Sequence, residues 1–389
     1  MRCEYRKVKL ADLTTTGKGT YGIAASGVEK NDNLYTYLRI TDINDDGTLN
    51  RSDMKSVADD DAAQYLLKPN DIVFARTGGS TGRNYFYDGK DGTFVYAGFL
   101  IKFSIDPLKV NPKYIKYYCQ SDVYKNWVRS FNTGSTRGNI NAQTFGNMEI
   151  PLPPREQQDY LVSVLEPLDE KIAINRAINE NLERQAMALF SSLYERSNTE
   201  VGYTDMIQIL GGGTPKTGEN TYWNGNITFF TPKDVGTPYT LITEKTITEE
   251  GLSHCNSRLY PVNTVFVTAR GTVGKVCMSG VPMAMNQSCY ALVGKEIHQL
   301  LVYFYTLKVV DRLKHKASGA VFDAITTRDF ESEQIMKLSD DDVTAFLRVV
   351  EPMFQEVLNN SIENLRLSTL RDSLLPKLMS GEINISSCI

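Results

Sequence analysis

The sequence predicts an α+β protein in which two mixed α/β lobes are separated by two long antiparallel coiled-coil helices, with an internal repeat. Two stretches carry apolar residues at the alternating three- and four-residue spacing of a coiled coil. Each stretch follows a segment rich in short β-branched and aromatic runs, which are typical of strands. The second half of the chain also repeats the first at offsets of 185 and 192 residues, which indicates a duplication.

The first helical stretch, 151–196, opens with an extended Pro151-Leu152-Pro153-Pro154 and becomes helical from Arg155. We expect Pro167 to begin a second helix that reaches about Glu195, because proline is tolerated in a first turn. At 1.5 Å per residue that helix is roughly 43 Å long. Its seam reads Leu168, Ile172, Asn175, Asn179, Leu182, Ala186, Leu189 and Leu193.

A shift of 185 residues reproduces this seam near the C-terminus, and Glu166-Pro167 then matches Glu351-Pro352. The second seam reads Met353, Val357, Asn360, Asn364, Leu367, Arg371, Leu374 and Leu378. Two antiparallel helices that overlap fully from these prolines do not place asparagine opposite asparagine, and an unpaired buried amide is costly. We therefore expect the seam asparagines to lie near the bundle ends or to bind a helix of a partner protein; they are Asn175, Asn179, Asn360 and Asn364.

The repeat divides the chain into a first lobe (1–150), a central helical region (151–196), a second lobe (197–338) and a C-terminal helical region (339–389). We predict one curved mixed sheet with one or two helices in each lobe. The predicted strands include 35–40, 71–75 and 94–101 in the first lobe and 227–230 and 264–268 in the second. One helix is predicted to start at Asn111 and end near Phe131, and another to span 297–316. Ser339 is the expected N-cap of the last helix, with Asp342 in the capping-box position.

Composition constrains the function only weakly. The net charge is −4, but the acidic excess lies on the helical regions, at −3 and −4, whereas the lobes carry +3 and zero. No apolar run reaches the roughly 18 residues that a membrane span needs, and no signal peptide follows Met1, so we expect a cytoplasmic protein. The six cysteines lack regular spacing, and we interpret them as reduced thiols, mostly buried.

Catalytic and cofactor motifs are missing. Gly271-Thr272-Val273-Gly274-Lys275 does not have the spacing of a phosphate-binding loop, and the three histidines show no metal-ligand pattern. Asn111-Pro112-Lys113-Tyr114 approaches a base-methyltransferase motif, but Lys113 replaces its second proline, so we interpret it as a helix start. The sequence thus predicts no metal, no cofactor and no enzyme activity.

Glycine-rich loops with hydroxyl and cationic side chains occupy equivalent places in both lobes. Glycine lets a backbone approach a ligand, arginine can fork onto guanine, asparagine onto adenine, and hydroxyl groups reach phosphate. Composition alone leaves plain hairpin turns and DNA contacts as open alternatives, and the basic helix end at 314–316 could simply be solvated. The predicted DNA-binding residues are Lys18, Arg76, Thr77, Ser80, Arg83, Ser135, Thr136, Arg137 and Asn139 in the first lobe and Lys216, Arg270, Thr272, Lys275, Lys314 and Lys316 in the second.

Three stretches carry a combined signal: Ile-Pro-Leu-Pro-Pro-Arg-Glu-Gln at 150–157, residues 374–383, and Gly212-Gly213-Thr214-Pro215. In this combination the chain resembles the specificity (S) subunits of type I restriction-modification systems. The first stretch looks like the start of that family's central conserved helix, the second like its C-terminal ending, and the third like the start of a target recognition domain. The second helical region departs from the pattern, because it lacks the Pro-Pro and Glu-Gln pairs.

The resemblance implies that each lobe is a target recognition domain that reads one half of a split double-stranded DNA sequence. It also implies that the helices act as spacer and dock methyltransferase (M) subunits, two of them, with restriction (R) subunits able to join. Residues 320–322, Ala-Val-Phe, stand where the first lobe has the more polar Thr-Arg-Gly at 136–138, so the two half-sites should differ. A coiled-coil scaffold that binds only protein and a fused methyltransferase or nuclease are the alternative readings.

Overall fold

The computed structural model describes residues 5–131, 138–236, 238–316 and 324–383. The chain divides into two compact units, one made of 1–170 with 368–389 and the other of 171–367. The predicted α+β class is confirmed: each unit holds a mixed α/β lobe packed on segments of two long helices.

The first lobe contains two four-stranded sheets, not the one sheet predicted. The strands of this lobe are β1 (Arg6–Lys9), β2 (Thr20–Tyr21), β3 (Gly27–Val28), β4 (Tyr35–Leu38), β5 (Lys55–Val57), β6 (Asp71–Ala75), β7 (Asn84–Tyr87), β8 (Phe94–Tyr96), β9 (Leu100–Ser104) and β10 (Glu149–Leu152), the last paired with β1. One four-stranded sheet has the order β2-β9-β6-β7 and is antiparallel; the other, β3-β5-β4-β8, has a parallel β4–β8 pair.

The predicted strand 94–101 is split between these two sheets. The backbone N–H of Leu100 donates to the carbonyl of Ala97, which closes a tight turn at Gly98 and sends β9 into the other sheet. Strand β6 lies where predicted, and all five of its residues are buried. The split matters for the site, because it leaves the Phe99 side chain exposed at the turn.

The predicted helix from Asn111 is two helices, α1 (Pro112–Tyr118) and α2 (Asp122–Arg129), with α3 (Ala142–Gly146) following. The Asn111 side chain accepts a hydrogen bond from the Lys113 N–H at 3.0 Å, so its interpretation as a helix start is confirmed. The break occurs at Ser121, whose hydroxyl accepts from the Tyr124 N–H and begins α2. A serine that bonds to the backbone in this way competes with helix continuation.

Helix α4 (Arg155–Arg196) is a single helix of 42 residues, with Pro167 inside it. The expectation that Pro167 begins a new helix is therefore wrong. Pro167 lies on the exposed side of α4, where water can satisfy the carbonyl that loses its N–H partner. The helix is about 63 Å long at 1.5 Å per residue, against the roughly 43 Å expected.

The second lobe repeats the first. The elements are β11 (Thr199–Gly202), α5 (Tyr203–Met206), β12 (Ile207–Gly211), β13 (Trp223–Phe230), β14 (Tyr239–Thr240), β15 (Lys245–Ile247), α6 (Glu249–Ser253), β16 (Val265–Thr268), β17 (Val276–Ser279), β18 (Met283–Met285), β19 (Cys289–Gly294), α7 (Gln299–Lys316), α8 (Thr327–Glu331) and β20 (Gln334–Lys337). The larger sheet has the order β12-β19-β16-β17-β14, the smaller one has the order β15-β13-β18, and β11 pairs with β20.

The last helix, α9 (Asp340–Ser380), begins as predicted: the Ser339 hydroxyl accepts from the Asp342 N–H at 3.2 Å and bonds to the Asp342 carboxylate. Each lobe core includes residues of both long helices. In the second unit Phe190 of α4 and Phe346 of α9 pack edge to face, and both are buried. In the first unit Leu161 and Leu378 join the core. Burial of such side chains contributes roughly 1.5–3 kcal/mol each.

The sequence predicts that the cysteines are reduced and mostly buried. Cys119, Cys277 and Cys289 are buried free thiols, and Cys255 is a free thiol that is partly exposed. Within the described ranges, no group of acidic, histidine or cysteine side chains is arranged to hold a metal ion. In those same ranges, no helix is both long and apolar enough to cross a membrane.

Candidate nucleic-acid interface

The β6–β7 and β16–β17 hairpins carry the glycine-rich loops, and their backbones correspond. In the first lobe Gly78 and Gly82 have φ of 77° and 86°; in the second, Gly271 and Gly274 have φ of 82° and 74°. These left-handed conformations strain any residue with a side chain, which explains the glycines. Three residues lie between Gly78 and Gly82, and two lie between Gly271 and Gly274. Gly78 corresponds to Gly271 because both have a positive φ, which Gly79 does not.

In the first lobe the structure brings several predicted residues together. Thr77 bridges to Asn139, and the Arg76 carbonyl accepts from the Ile140 N–H at 2.9 Å, so the β6–β7 loop lies against the segment before α3. The Arg83 Nε donates to the Asp45 carboxylate at 2.6 Å, which neutralises part of its charge. Ser80 is partly exposed in the loop.

The remaining first-lobe predictions lie apart or outside the described residues. Lys18 is exposed, on the loop before β2. Ser135, Thr136 and Arg137 lie in 132–137, outside the described residues. The corresponding second-lobe segment, 317–323, also lies outside them.

In the second lobe, three cationic residues lie in or beside the loop of the β16–β17 hairpin. Arg270 and Lys275 are exposed at the two ends of the loop. The Lys314 stem passes so close to Gly274 that a Cβ there would come within 2.6 Å of its Cε. Thr272 donates through its hydroxyl to the Pro232 carbonyl at 3.1 Å, which fixes the loop. The arrangement resembles a phosphate-binding surface in its charge and exposed backbone.

Lys216 and Lys316 are placed differently. Lys216 is exposed, and its carbonyl accepts from the Trp223 indole N–H at 3.2 Å. Lys316 forms an ion pair with Glu333, whose side chain is only 2% exposed. Arg312 binds the same carboxylate at 2.9 Å, so Glu333 is paired with two cations. The positive charge of Lys316 is therefore partly neutralised within the lobe.

Sequence reasoning missed two aromatic side chains beside Arg76. The Arg76 Cζ lies 5.2 Å from the centroid of the Tyr21 ring and 5.9 Å from that of Phe99. Both rings are exposed large apolar groups. The available signal was an aromatic residue directly beside a glycine, as in Tyr21-Gly22 and Gly98-Phe99. Gly22 is required there, because a Cβ would lie 2.2 Å from the Tyr96 carbonyl.

The seam asparagines bind one another within the second unit. Asn360 donates to Asn179 Oδ1 at 2.9 Å, and Asn175 donates to Asn364 Oδ1 at 3.0 Å. The helix segments there run antiparallel, as predicted, but the expectation that asparagine does not face asparagine is wrong. The physical reason is that both helices begin before the prolines, at Arg155 and Asp340. Full overlap of these longer helices places Asn179 within about one turn of Asn360, and the side-chain hydrogen bonds select the final register. Their contact with a partner helix stays a prediction.

A partly buried carboxylate joins the helices within the first unit. Asp169 binds Lys116 at 2.7 Å and Arg371 at 3.0 Å, and it accepts a hydrogen bond from the Tyr117 hydroxyl. Burial raises the pKa of Asp169, but the two cations outweigh burial and hold that pKa below its ordinary value. Asp169 is thus a charged part of the helix seam, at the level where the first lobe joins it.

The family model for the type I restriction modification DNA specificity domain matches residues 3–184 and 197–337, once for each lobe. The chain belongs to this family. As a type I specificity subunit it has two target recognition domains, and recognition of a DNA target is the role of the family.

The specificity subunit is also similar to two known specificity subunits. It is 22% identical to the HindI specificity subunit of Haemophilus influenzae, with 82% of this chain and 88% of that one covered. It is 25% identical to the EcoR124I/EcoR124II specificity subunit of Escherichia coli, over 67% of each chain. The crystal structure of a type I S subunit from M. genitalium has the same fold, with a TM-score of 0.57, 15% identity, and 97% and 96% of the two chains covered.

Proposed function

We propose that this specificity subunit reads a bipartite double-stranded DNA sequence, with residues 1–150 as the first target recognition domain and 197–338 as the second. Each domain reads one half-site with its glycine-rich hairpin and adjoining segments. The subunit itself does no chemistry; methylation and cleavage belong to partner subunits. It acts where the DNA is, in the cytoplasm.

One observation carries this proposal: the same hairpin backbone recurs in both lobes with different side chains. Gly78 and Gly82 correspond in conformation to Gly271 and Gly274, yet the loops differ in length and in the position of their arginine. A conserved backbone that presents divergent polar and cationic groups is what two readers of different sequences need. A scaffold that binds only protein would have no need for it.

The two long helices act as spacer and as docking surface for methyltransferase subunits. Their seam is fixed by buried polar pairs such as Asn179–Asn360, which define one register of the helices in the second unit. On the outside of α4, Ile174 and Ile178 are 55% and 40% exposed and one turn apart. Exposed apolar side chains one turn apart suit a helix-to-helix contact, so we assign the methyltransferase contact to this side of α4.

The test is a binding-site selection with a random DNA library. The full chain is assayed alone and together with the methyltransferase subunits of its own system. We expect one enriched bipartite motif with a fixed gap, and tighter binding when the methyltransferase is present. Enrichment of no motif, while the methyltransferase still binds, would support the protein-only scaffold instead.

A further inference from the structure

The first lobe holds an arginine whose charge is not neutralised by any carboxylate among the described residues. Arg83 is paired with Asp45, and Arg39 binds Asp42 at 2.7 Å. Arg76 has neither an ion pair nor a side-chain hydrogen bond within those ranges, and its Nε is buried without a partner. A guanidinium is costly to leave partly desolvated and unpaired, so its position calls for a ligand.

The two aromatic rings hold this arginine in place. Tyr21 accepts a hydrogen bond at its hydroxyl from the Ala142 N–H at 3.2 Å, and its backbone pairs with Ile101 in the sheet. The Arg76 N–H donates to the Phe99 carbonyl at 3.1 Å, which ties the backbones of arginine and phenylalanine together. Although packed near Arg76, the Tyr21 and Phe99 rings remain 42% and 56% exposed.

The second lobe lacks this arrangement at the equivalent backbone positions. The Ala269 N–H donates to the Ser288 carbonyl, and the Ala269 carbonyl accepts from Ile325, as Arg76 does with Phe99 and Ile140. Gly22 lies against the Tyr96 carbonyl, and Gly212 lies in the same way against the Asn286 carbonyl. The preceding residues, Tyr21 and Gly211, are therefore counterparts. Tyrosine, arginine and phenylalanine are therefore replaced by Gly211, Ala269 and Ser288.

We propose that Arg76, oriented by the Tyr21 and Phe99 rings, reads a guanine in the half-site of the first lobe, and that the second lobe has no equivalent contact. This inference rests on the proposed function of DNA reading. The guanidinium has parallel N–H donors that match the O6 and N7 acceptors of guanine in the major groove. A phosphate contact would need only a positive charge, whereas a base contact needs a fixed direction, which the two rings supply.

The experiment uses the full chain with its methyltransferase subunits and compares Arg76→Lys, Arg76→Ala and Phe99→Leu in the same site selection. Lysine keeps the charge but not the fork, so we expect Arg76→Lys to lose guanine preference at one position by about 10-fold to 100-fold. Arg76→Ala should do the same with lower affinity, and Phe99→Leu should weaken the preference in part. The second half-site should not change.

A modified DNA gives the chemical control. Replacement of that guanine by 7-deazaguanine removes the N7 acceptor, and we expect it to weaken the wild-type complex but not the Arg76→Lys complex. The cation control is Arg51→Ala, because Arg51 is already paired with Asp91 at 2.6 Å. If Arg76→Lys keeps every preference of the wild type, the inference fails while bipartite reading stands. If the wild type selects no motif, the proposed function fails first.

Discussion

Asn360 of α9 donates a hydrogen bond to Oδ1 of Asn179 of α4 at 2.9 Å, inside the buried seam of the second unit. Asn179 in turn donates to the Val357 carbonyl at 3.2 Å and the Ser361 hydroxyl at 3.3 Å. A buried amide is stable only when its donors and acceptors are used, so this pair favours one register of the two helix segments over its neighbours.

Removal of one asparagine should be more costly than removal of both. Asn360→Leu leaves the Asn179 oxygen buried without its donor, and we expect a loss of about 1–3 kcal/mol in the free energy of unfolding. The double change Asn179→Leu with Asn360→Leu should recover much of that loss. Urea denaturation in a double-mutant cycle measures the coupling. Strictly additive effects would show that the pair does not fix the seam.

Asp169 should give the first unit an acid-sensitive contribution to stability. Its pKa is lowered in the folded protein, so the contribution is complete above the unfolded-state pKa of about 3.9 and is lost as the pH falls through the lower folded-state pKa. Asp169→Asn leaves Arg371 without its main partner, and we expect a loss of about 3 kcal/mol at pH 7. Denaturation at pH 7 and near pH 2 checks this. An equal loss at both pH values would contradict it.

Lys275 should contribute charge, and not sequence preference, to DNA binding. Lys275 is exposed next to Gly274, against which the Lys314 side chain lies, and Lys275 has no ion pair among the described residues. Lys275→Ala should lower the slope of log affinity against log salt concentration by about one and leave the selected motif unchanged. Lys295→Ala is the control, because that lysine donates to the Thr204 carbonyl elsewhere in the lobe. Equal slopes for wild type and Lys275→Ala would place the hairpin away from DNA.

The exposed isoleucines of α4 should bind the methyltransferase. Ile174→Glu with Ile178→Glu puts two charges on the proposed contact, and we expect a loss of binding of at least about 10-fold with DNA reading by the lobes intact. Ala173→Glu is the control, since Ala173 is exposed on the same helix but points away from the face formed by both isoleucines. Affinity of the purified subunits, measured by calorimetry, decides. Unchanged affinity in the double variant would move the docking site elsewhere.

The sequence allowed the repeat, the two-lobe class, strand β6 and the Asn111 and Ser339 caps to be predicted, because local chemistry determines them. It did not allow the helix length to be predicted, since a proline start and an exposed interior proline look alike in one sequence. With the prolines taken as helix starts, overlap of 167–195 with 352–380 places Asn179 opposite Ser368, eight residues from its observed partner Asn360.

The candidate site was predicted in part. Glycine and charge in the hairpin loops identified Arg76 and Arg270, because both signals are local. The rings beside Arg76 come from β2 and from the turn before β9, so only the sheet pairing brings them to it. The pairing of Lys316 with Glu333 likewise depends on the packing of α7 against the segment before β20.

The spacer role predicts that longer helices widen the gap in the recognised sequence. Seven residues, about two turns, can be inserted after Glu170 and after Leu367, at the boundary between the compact units, so that the contacts within each unit are kept. The helices gain about 10 Å, which corresponds to a gap longer by about three base pairs at about 3.4 Å each. Insertion in α4 alone is the control, because it disturbs the seam. A selected motif with an unchanged gap would contradict the spacer role.

Replacement of residues 197–338 by the second lobe of another specificity subunit tests the central claim, that each lobe reads its own half-site, most directly. Binding-site selection on the hybrid, assembled with its methyltransferase subunits, gives the motif. The account predicts that the half-site read by the first lobe is retained base for base, while the other half-site becomes that of the donor. A change in both half-sites, or in neither, would contradict it.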